Sequence, residues 1–226
     1  MGIIYNSLAP SDGLVLSLDT ANRRSYPGSG TSWFDLSGNG NNGTLTNGAS
    51  LNTGPGGGMN FDGSNDFVNC GSGASATSSE ITVSCFVFWP ASPVSTGSLV
   101  SNFAASFANG WILLTLSNGT VRLDGNAPGG GYSSLASSSG AMQSGWQHLC
   151  ATRIRDTAKI YRNGESIANG SFSGTAAFVA NPFLISQNND SNFFRGAIDD
   201  VRIYNRALSR EEISILFNIK RRRYGL

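Results

Sequence analysis

The chain has 226 residues, 39% of them hydrophobic, and 15 Lys and Arg stand against 14 Asp and Glu. This length and hydrophobic fraction suit one β-sandwich with a buried core. Lys220, Arg221, Arg222 and Arg223 crowd into the last seven positions, leaving eleven basic against fourteen acidic residues in the body, which argues against a nucleic-acid groove across the fold.

The opening MGIIYNSLAPSDGLVLSLD lacks the charged start and apolar core of a secretory signal, and no apolar run approaches the ~20 residues that span a bilayer. Neither a leader nor a membrane partner is therefore expected. The first strand is Gly13 to Asp19, followed by a long irregular stretch to Gly48. Met59-Asn60-Phe61 and Phe67-Val68-Asn69 flank DGSND, whose Asp-Gly chemistry reads as a hairpin-like turn. Ile81 to Trp89 is a long strand. Trp111 to Leu116 and Thr120 to Leu123 bracket the tight turn SNG. Trp146 to Arg155 and Ala158 to Tyr161 form the next pair, with RNGE beginning another turn, and Phe183 to Ser186 and Ala197 to Tyr204 complete the set. Short alternating runs between turn clusters predict an all-β fold.

Only one segment reads as helix. Ser209 is its N-cap, Glu212 completes a capping box, and Ile213, Leu216 and Phe217 form an apolar face. The predicted organisation is a lead-in over 1–11, one domain over 12–217 and a basic tail over 218–226. Cys70, Cys85 and Cys150 fit neither a zinc spacing nor a full disulfide framework, and Cys85 and Cys150 read as core thiols; their disulfide status stays open.

Five segments, in order, carry a family resemblance: DGLVLSLDTANRRSYPGSGTSWFDLSGNGNNGTLTNG, MNFDGSNDFVNCG, WQHLCATR, AKIYRNGE and FRGAIDDVRIYNRALSREEI. Together they resemble concanavalin-A-like, laminin-G-like jelly-roll domains over about residues 12 to 217. The resemblance implies a two-sheet antiparallel jelly-roll sandwich with one short helix near the C-terminus. More narrowly, GLVLSLDTANRRSYPGSGTSWFDLSGNGN and the ending RRRYGL resemble stand-alone versions among bacteriophage virion proteins. That implies a capsid decoration protein or tail-associated subunit at the virion surface, outside the cell after lysis, with other virion proteins as partners. The number of copies in an assembly is left open.

Asp199 and Asp200 are adjacent in a predicted strand, so they should point to opposite faces and cannot flank one glycosidic bond together. Strict alternation puts Asp199 on the core-facing row with Val201 and Ile203, and Asp200 outward near Arg202. The four glutamates, Glu80, Glu165, Glu211 and Glu212, do not form the alternating acidic row of the related glucanases. His148, which has no evident nucleophile partner, reads as a structural imidazole. The expectation is that the protein is not an enzyme.

Three kinds of binding remain. In similar domains a structural calcium can be held by an early-strand aspartate, an Asn-rich loop and the aspartate before the last strand, which carries over to Asp19, Asn39 or Asn41, and Asp199. The competing reading is that these side chains only cap turns, and no other cofactor is implied. Surface glycans require exposed aromatic planes; the candidates are Tyr26, Trp33, Phe103, Phe107, Tyr132, Phe193 and Phe194, whereas Trp89, Trp111 and Trp146 are expected in the core. Lys220 to Arg223 are the candidate docking residues for an acidic protein surface, or else a solvated tail.

Overall fold

The computed structural model describes residues 8–72, 80–91, 95–103, 110–126, 132–172, 181–188 and 192–226. Its strands are, in chain order, β1 (Leu14–Leu18), β2 (Ser32–Trp33), β3 (Gly43–Thr46), β4 (Ser50–Leu51), β5 (Met59–Asp62) and β6 (Phe67–Asn69). Then come β7 (Glu80–Trp89), β8 (Gly97–Phe103), β9 (Gly110–Thr115), β10 (Val121–Asn126) and β11 (Tyr132–Ala136). The last are β12 (Gly145–Ile154), β13 (Thr157–Arg162), β14 (Glu165–Ser171), β15 (Leu184–Ile185) and β16 (Arg195–Tyr204). One helix, α1 (Arg210–Lys220), and a 3-10 turn, Arg221–Tyr224, follow.

The strands form two antiparallel sheets. The first runs β14-β13-β12-β7-β16-β5-β4, with β1 also paired to β16; the second runs β11-β10-β9-β8-β15-β6-β3-β2. Period-2 alternation explains the layering. Ile81, Val83, Cys85 and Val87 of β7 and Leu149 and Ala151 of β12 face inward, against Leu99, Val100, Leu113, Val121 and Leu123 of the second sheet. The all-β jelly-roll expectation is thus met.

Two local expectations fail. DGSND does not close a hairpin: β5 lies in the first sheet and β6 in the second, so the segment crosses between sheets. Its carboxylates hold this corner, Asp62 Oδ1 accepting from the Ser64 and Asn65 amides and Asp66 Oδ2 from the Asp62 amide. The second failure is at Asp199-Asp200. In the pairing of β16 with β7, Asp199 lies opposite Phe86 and Arg202 opposite Ser84, so β16 carries one extra residue. This β-bulge leaves Asp200 at φ 44° and resets the alternation. Ile198, Val201 and Ile203 all reach the core, while Asp199 lies on the opposite face with Ala197. Asp200 is buried, not outward, and pairs with Arg202 at 2.8 Å.

The helix covers the outer face of the first sheet. Ser209 and Glu212 form the expected capping box, which satisfies two backbone N–H donors at the helix start. Ile213 and Leu216 then pack with Cys150, Tyr161, Tyr204 and Leu208. The last nine residues, set apart in the sequence as a basic tail, extend this cover. Tyr224 stacks on Phe86 with ring centroids 4.1 Å apart and lies 4.7 Å from Trp146.

Candidate functional site

Two features stand out on this outer face: a buried polar anchor beneath the C-terminus, and an open groove beside it. In the anchor, Arg223 binds Asp19 at 3.0 Å, Asp199 at 2.8 Å and the Thr20 hydroxyl at 2.9 Å. Lys220 adds a 2.6 Å bridge to Asp19. Asp199 also accepts hydrogen bonds from the Thr20 amide, the Thr20 hydroxyl and the Tyr224 hydroxyl, at 2.8–2.9 Å.

The two carboxyls respond in opposite directions. Burial would raise Asp19, but Lys220, the Ala21 amide and Arg223 outweigh it and hold the carboxyl below its usual range. At Asp199 burial prevails over Arg223 and Thr20 and pushes the carboxyl upward. The Tyr224 hydroxyl is likewise raised, by burial and then by Asp199.

The expected calcium ligands do not form one set. Asp19 and Asp199 meet through Arg223, and their charge is balanced by Lys220 and Arg223. Asn39 and Asn41 instead turn their amide N–H groups to backbone carbonyls of β1, Asn39 to Leu14 and Val15, Asn41 to Val15. Asp35 shapes their loop by accepting from Ser17, Ser37 and Asn41. Among the described residues no group of three His, Cys, Asp or Glu side chains is placed to hold a metal.

The candidate docking residues divide in the same way. Lys220 and Arg223 are engaged within the chain, while Arg221 and Arg222 are exposed.

Nor do the nominated aromatics converge. Tyr26 and Trp33 are core residues, 4% and 0% exposed, because their turn folds back on the sandwich; the Tyr26 hydroxyl donates to Gly30. Phe194 is fully buried and Phe193 half-buried. Tyr132 is 50% exposed on the second sheet's edge, where Arg122 donates to its hydroxyl. The side chains of Phe103 and Phe107 lie outside the described residues.

His148 is a buried imidazole whose Nε2 lies 2.8 Å from the Ser84 hydroxyl, while Nδ1 has no partner among the described residues. Burial, reinforced by the charge of Arg202, pushes it down to about 3. It stays neutral and out of reach of solvent. Cys70, Cys85 and Cys150 are free and buried, and burial raises each thiol.

The groove was missed from sequence. Strand register builds it: Trp146 on β12 lies opposite Phe88 on β7, Phe88 opposite Ala197 on β16, and Ala197 opposite Asn60 on β5. Two aromatics thus stand at one end of a row, an amide at the other, and a methyl between them. Gly196 lets β16 pack closely beneath the groove; a Cβ there would sit 2.4 Å from the Phe88 carbonyl and 2.8 Å from the buried Phe194 ring, and its φ is 145°. Phe88 and Trp146 meet edge to face, centroids 5.7 Å apart. The Trp146 indole donates to the Pro55 carbonyl at 2.9 Å. The loop wraps closely because Gly56 and Gly58 have no side chain: a Cβ on either would lie within 2.3–2.8 Å of the indole. Asn52, Pro55, Phe61, Pro90 and Arg195 complete the walls of a depression of about 570 Å³. Phe88, 37% exposed, offers a hydrophobic plane to solvent.

A family model described as the concanavalin A-like lectin/glucanases superfamily matches residues 62–214. The chain belongs to this superfamily. Solved structures agree on the superfamily fold. The binding domain of Paraclostridial Mosquitocidal Protein 1 superposes with a TM-score of 0.71 at 19% identity, covering 92% of this chain and 52% of that one. The botulinum neurotoxin DC binding domain in complex with SialylT gives 0.68 at 16% identity, covering 92% and 52%. The same domain in complex with rat synaptotagmin II gives 0.69 at 17%, covering 93% and 52%. This chain therefore spans about half the length of those binding domains, and at such identity the likeness concerns the fold. Comparison with curated proteins gave no match. No helix among the described residues is long and apolar enough to cross a membrane.

Proposed function

We propose that this superfamily member is a non-catalytic recognition module that binds saccharides in the groove of Phe88, Trp146, Asn52, Asn60 and Arg195. The carrying observation is the pairing of a half-open aromatic plane with planar polar side chains at the far wall. A pyranose ring stacks its C–H face on such a plane and shares its hydroxyls with amide and guanidinium groups. The relatives solved with SialylT and synaptotagmin II are binding domains, which agrees with a recognition role. The acidic residues support the non-catalytic part. Glu165 pairs with Arg210 and Glu212 with Arg206, while Asp199 and Asp200 are sealed beneath the C-terminus. A glycan array run with the wild-type chain and Phe88→Ala tests the reading: signals present in the first and lost in the second support it. Turnover of β-glucans would contradict it.

The second reading places this module on a bacteriophage virion, as a capsid decoration or tail-associated subunit, with surface glycans as its outward partners. One observation favours it. The two segments that carry the narrower resemblance to virion proteins meet in the fold, since Asp19 and Thr20 of the first are bound by Arg223 of the second. Co-sedimentation with capsids and tails lacking the protein tests this; saturable binding at fixed stoichiometry supports it, and no binding to either particle removes it.

A further inference from the structure

The groove's polar groups are nearly all donors. Arg195 is exposed at its rim, and its guanidinium has no carboxylate partner among the described residues. Asp62, opposite Arg195 across β5 and β16, turns its carboxylate to the amides of Ser64 and Asn65. Asn52 commits its carbonyl oxygen to the Gly54 amide, leaving its NH2 group as the free end. The Asn60 amide is exposed and takes part in no side-chain hydrogen bond among the described residues. No Asp or Glu lines the depression. Its one formal charge is therefore positive, beside an aromatic plane.

From this we infer that the groove is specific for an acidic saccharide, one whose sugar ring carries a carboxylate. The ring face lies on Phe88 and the carboxylate meets Arg195, whose planar fork matches two carboxylate oxygens. Asn52 and Asn60 take ring hydroxyls. A neutral sugar fills the same aromatic contact but offers Arg195 uncharged hydroxyls in place of a carboxylate. A sulfated sugar keeps the charge but offers a tetrahedral group in place of the planar one. The inference rests on the saccharide reading above and adds the ionic class of the ligand.

Binding of a galactose hexamer, the galacturonate hexamer and a sulfated galactose hexamer, measured by calorimetry at ~0.1 M salt, tests it. The galacturonate hexamer is expected to bind about tenfold tighter than the neutral one and tighter than the sulfated one. Arg195→Gln should bring the galacturonate-to-galactose ratio close to one, the galacturonate hexamer losing more affinity than the neutral one. Phe88→Ala should weaken all three together, with melting temperatures confirming that both variants fold. An acid preference that survives Arg195→Gln, a ratio of one in the wild type, or a preference for sulfate overturns this inference and leaves the saccharide reading standing. No binding of any hexamer, with an empty glycan array, overturns both.

Discussion

Arg223 and Asp199 meet at 2.8 Å, the aspartate fully buried and the arginine a quarter exposed. The contact ties the last turn of the chain to the bulge of β16. Because Arg223 also holds Asp19 and Thr20, one guanidinium joins the first strand, the last strand and the C-terminus.

Removing that guanidinium leaves a buried carboxylate without its counter-charge. Arg223→Ala is expected to cost about 3 kcal/mol, the low end for a broken buried pair because the arginine is partly wet. Asp199→Asn alone should cost less, since an amide oxygen still accepts from Thr20 and Tyr224. The double variant Asp199→Asn/Arg223→Ala should be more stable than Arg223→Ala. Urea denaturation of the four proteins closes the cycle; strict additivity would show that the two side chains are not coupled.

The bulge makes its own prediction. Asp200 sits at φ 44°, a left-handed conformation that costs a residue bearing a Cβ about 1 kcal/mol. Asp200→Ala and Asp200→Gly both strip Arg202 of its partner, so both should lose several kcal/mol. Their difference isolates the backbone: glycine should be the more stable by about 1 kcal/mol, the reverse of the usual order inside a strand. Equal stabilities would argue against the bulge.

Much of the architecture was legible because apolar alternation survives in β7, β12 and β16, because β9 is a short continuous apolar run, and because Ser209 and Glu212 mark the helix start without tertiary help. Strands β2, β3, β4, β8, β11 and β14 were passed over. Their Gly, Ser and Asn residues carry little of that pattern, and pairing with neighbours makes them strands. The bulge at Asp200 was invisible, since nothing local announces an extra residue in an alternating run.

The candidate site was the least legible part. Its walls come from residues 52–61, 88–90, 146 and 195–196, which only strand register assembles. Trp146 was read as core, and it is 7% exposed, yet its other edge borders the groove. A signal was present in ITVSCFVFW, where Phe88 falls on the opposite face to Ile81, Val83, Cys85 and Val87, which enter the core. The glycine-rich NTGPGGG was another, marking a backbone that passes close to something large.

His148 gives a pH signature. The unfolded imidazole protonates near pH 6.5, whereas the folded one refuses the proton until about pH 3. Below pH 6.5 the unfolded state binds more protons, so stability falls with acidification across that window, by up to about 1.4 kcal/mol per pH unit from this group. In His148→Gln the slope between pH 6.5 and 4.5 should flatten, whatever its effect on absolute stability. Denaturation curves at half-unit intervals measure it, and an unchanged slope would mean that the imidazole titrates normally.

The most direct test of the central claim is the glycan array with the wild-type chain and Phe88→Ala side by side, after matching melting temperatures. Selective saccharide signals in the wild type that disappear in Phe88→Ala are the expected result. Signals that persist undiminished in Phe88→Ala would place recognition elsewhere on the sandwich, and an array blank for both proteins would contradict saccharide binding itself.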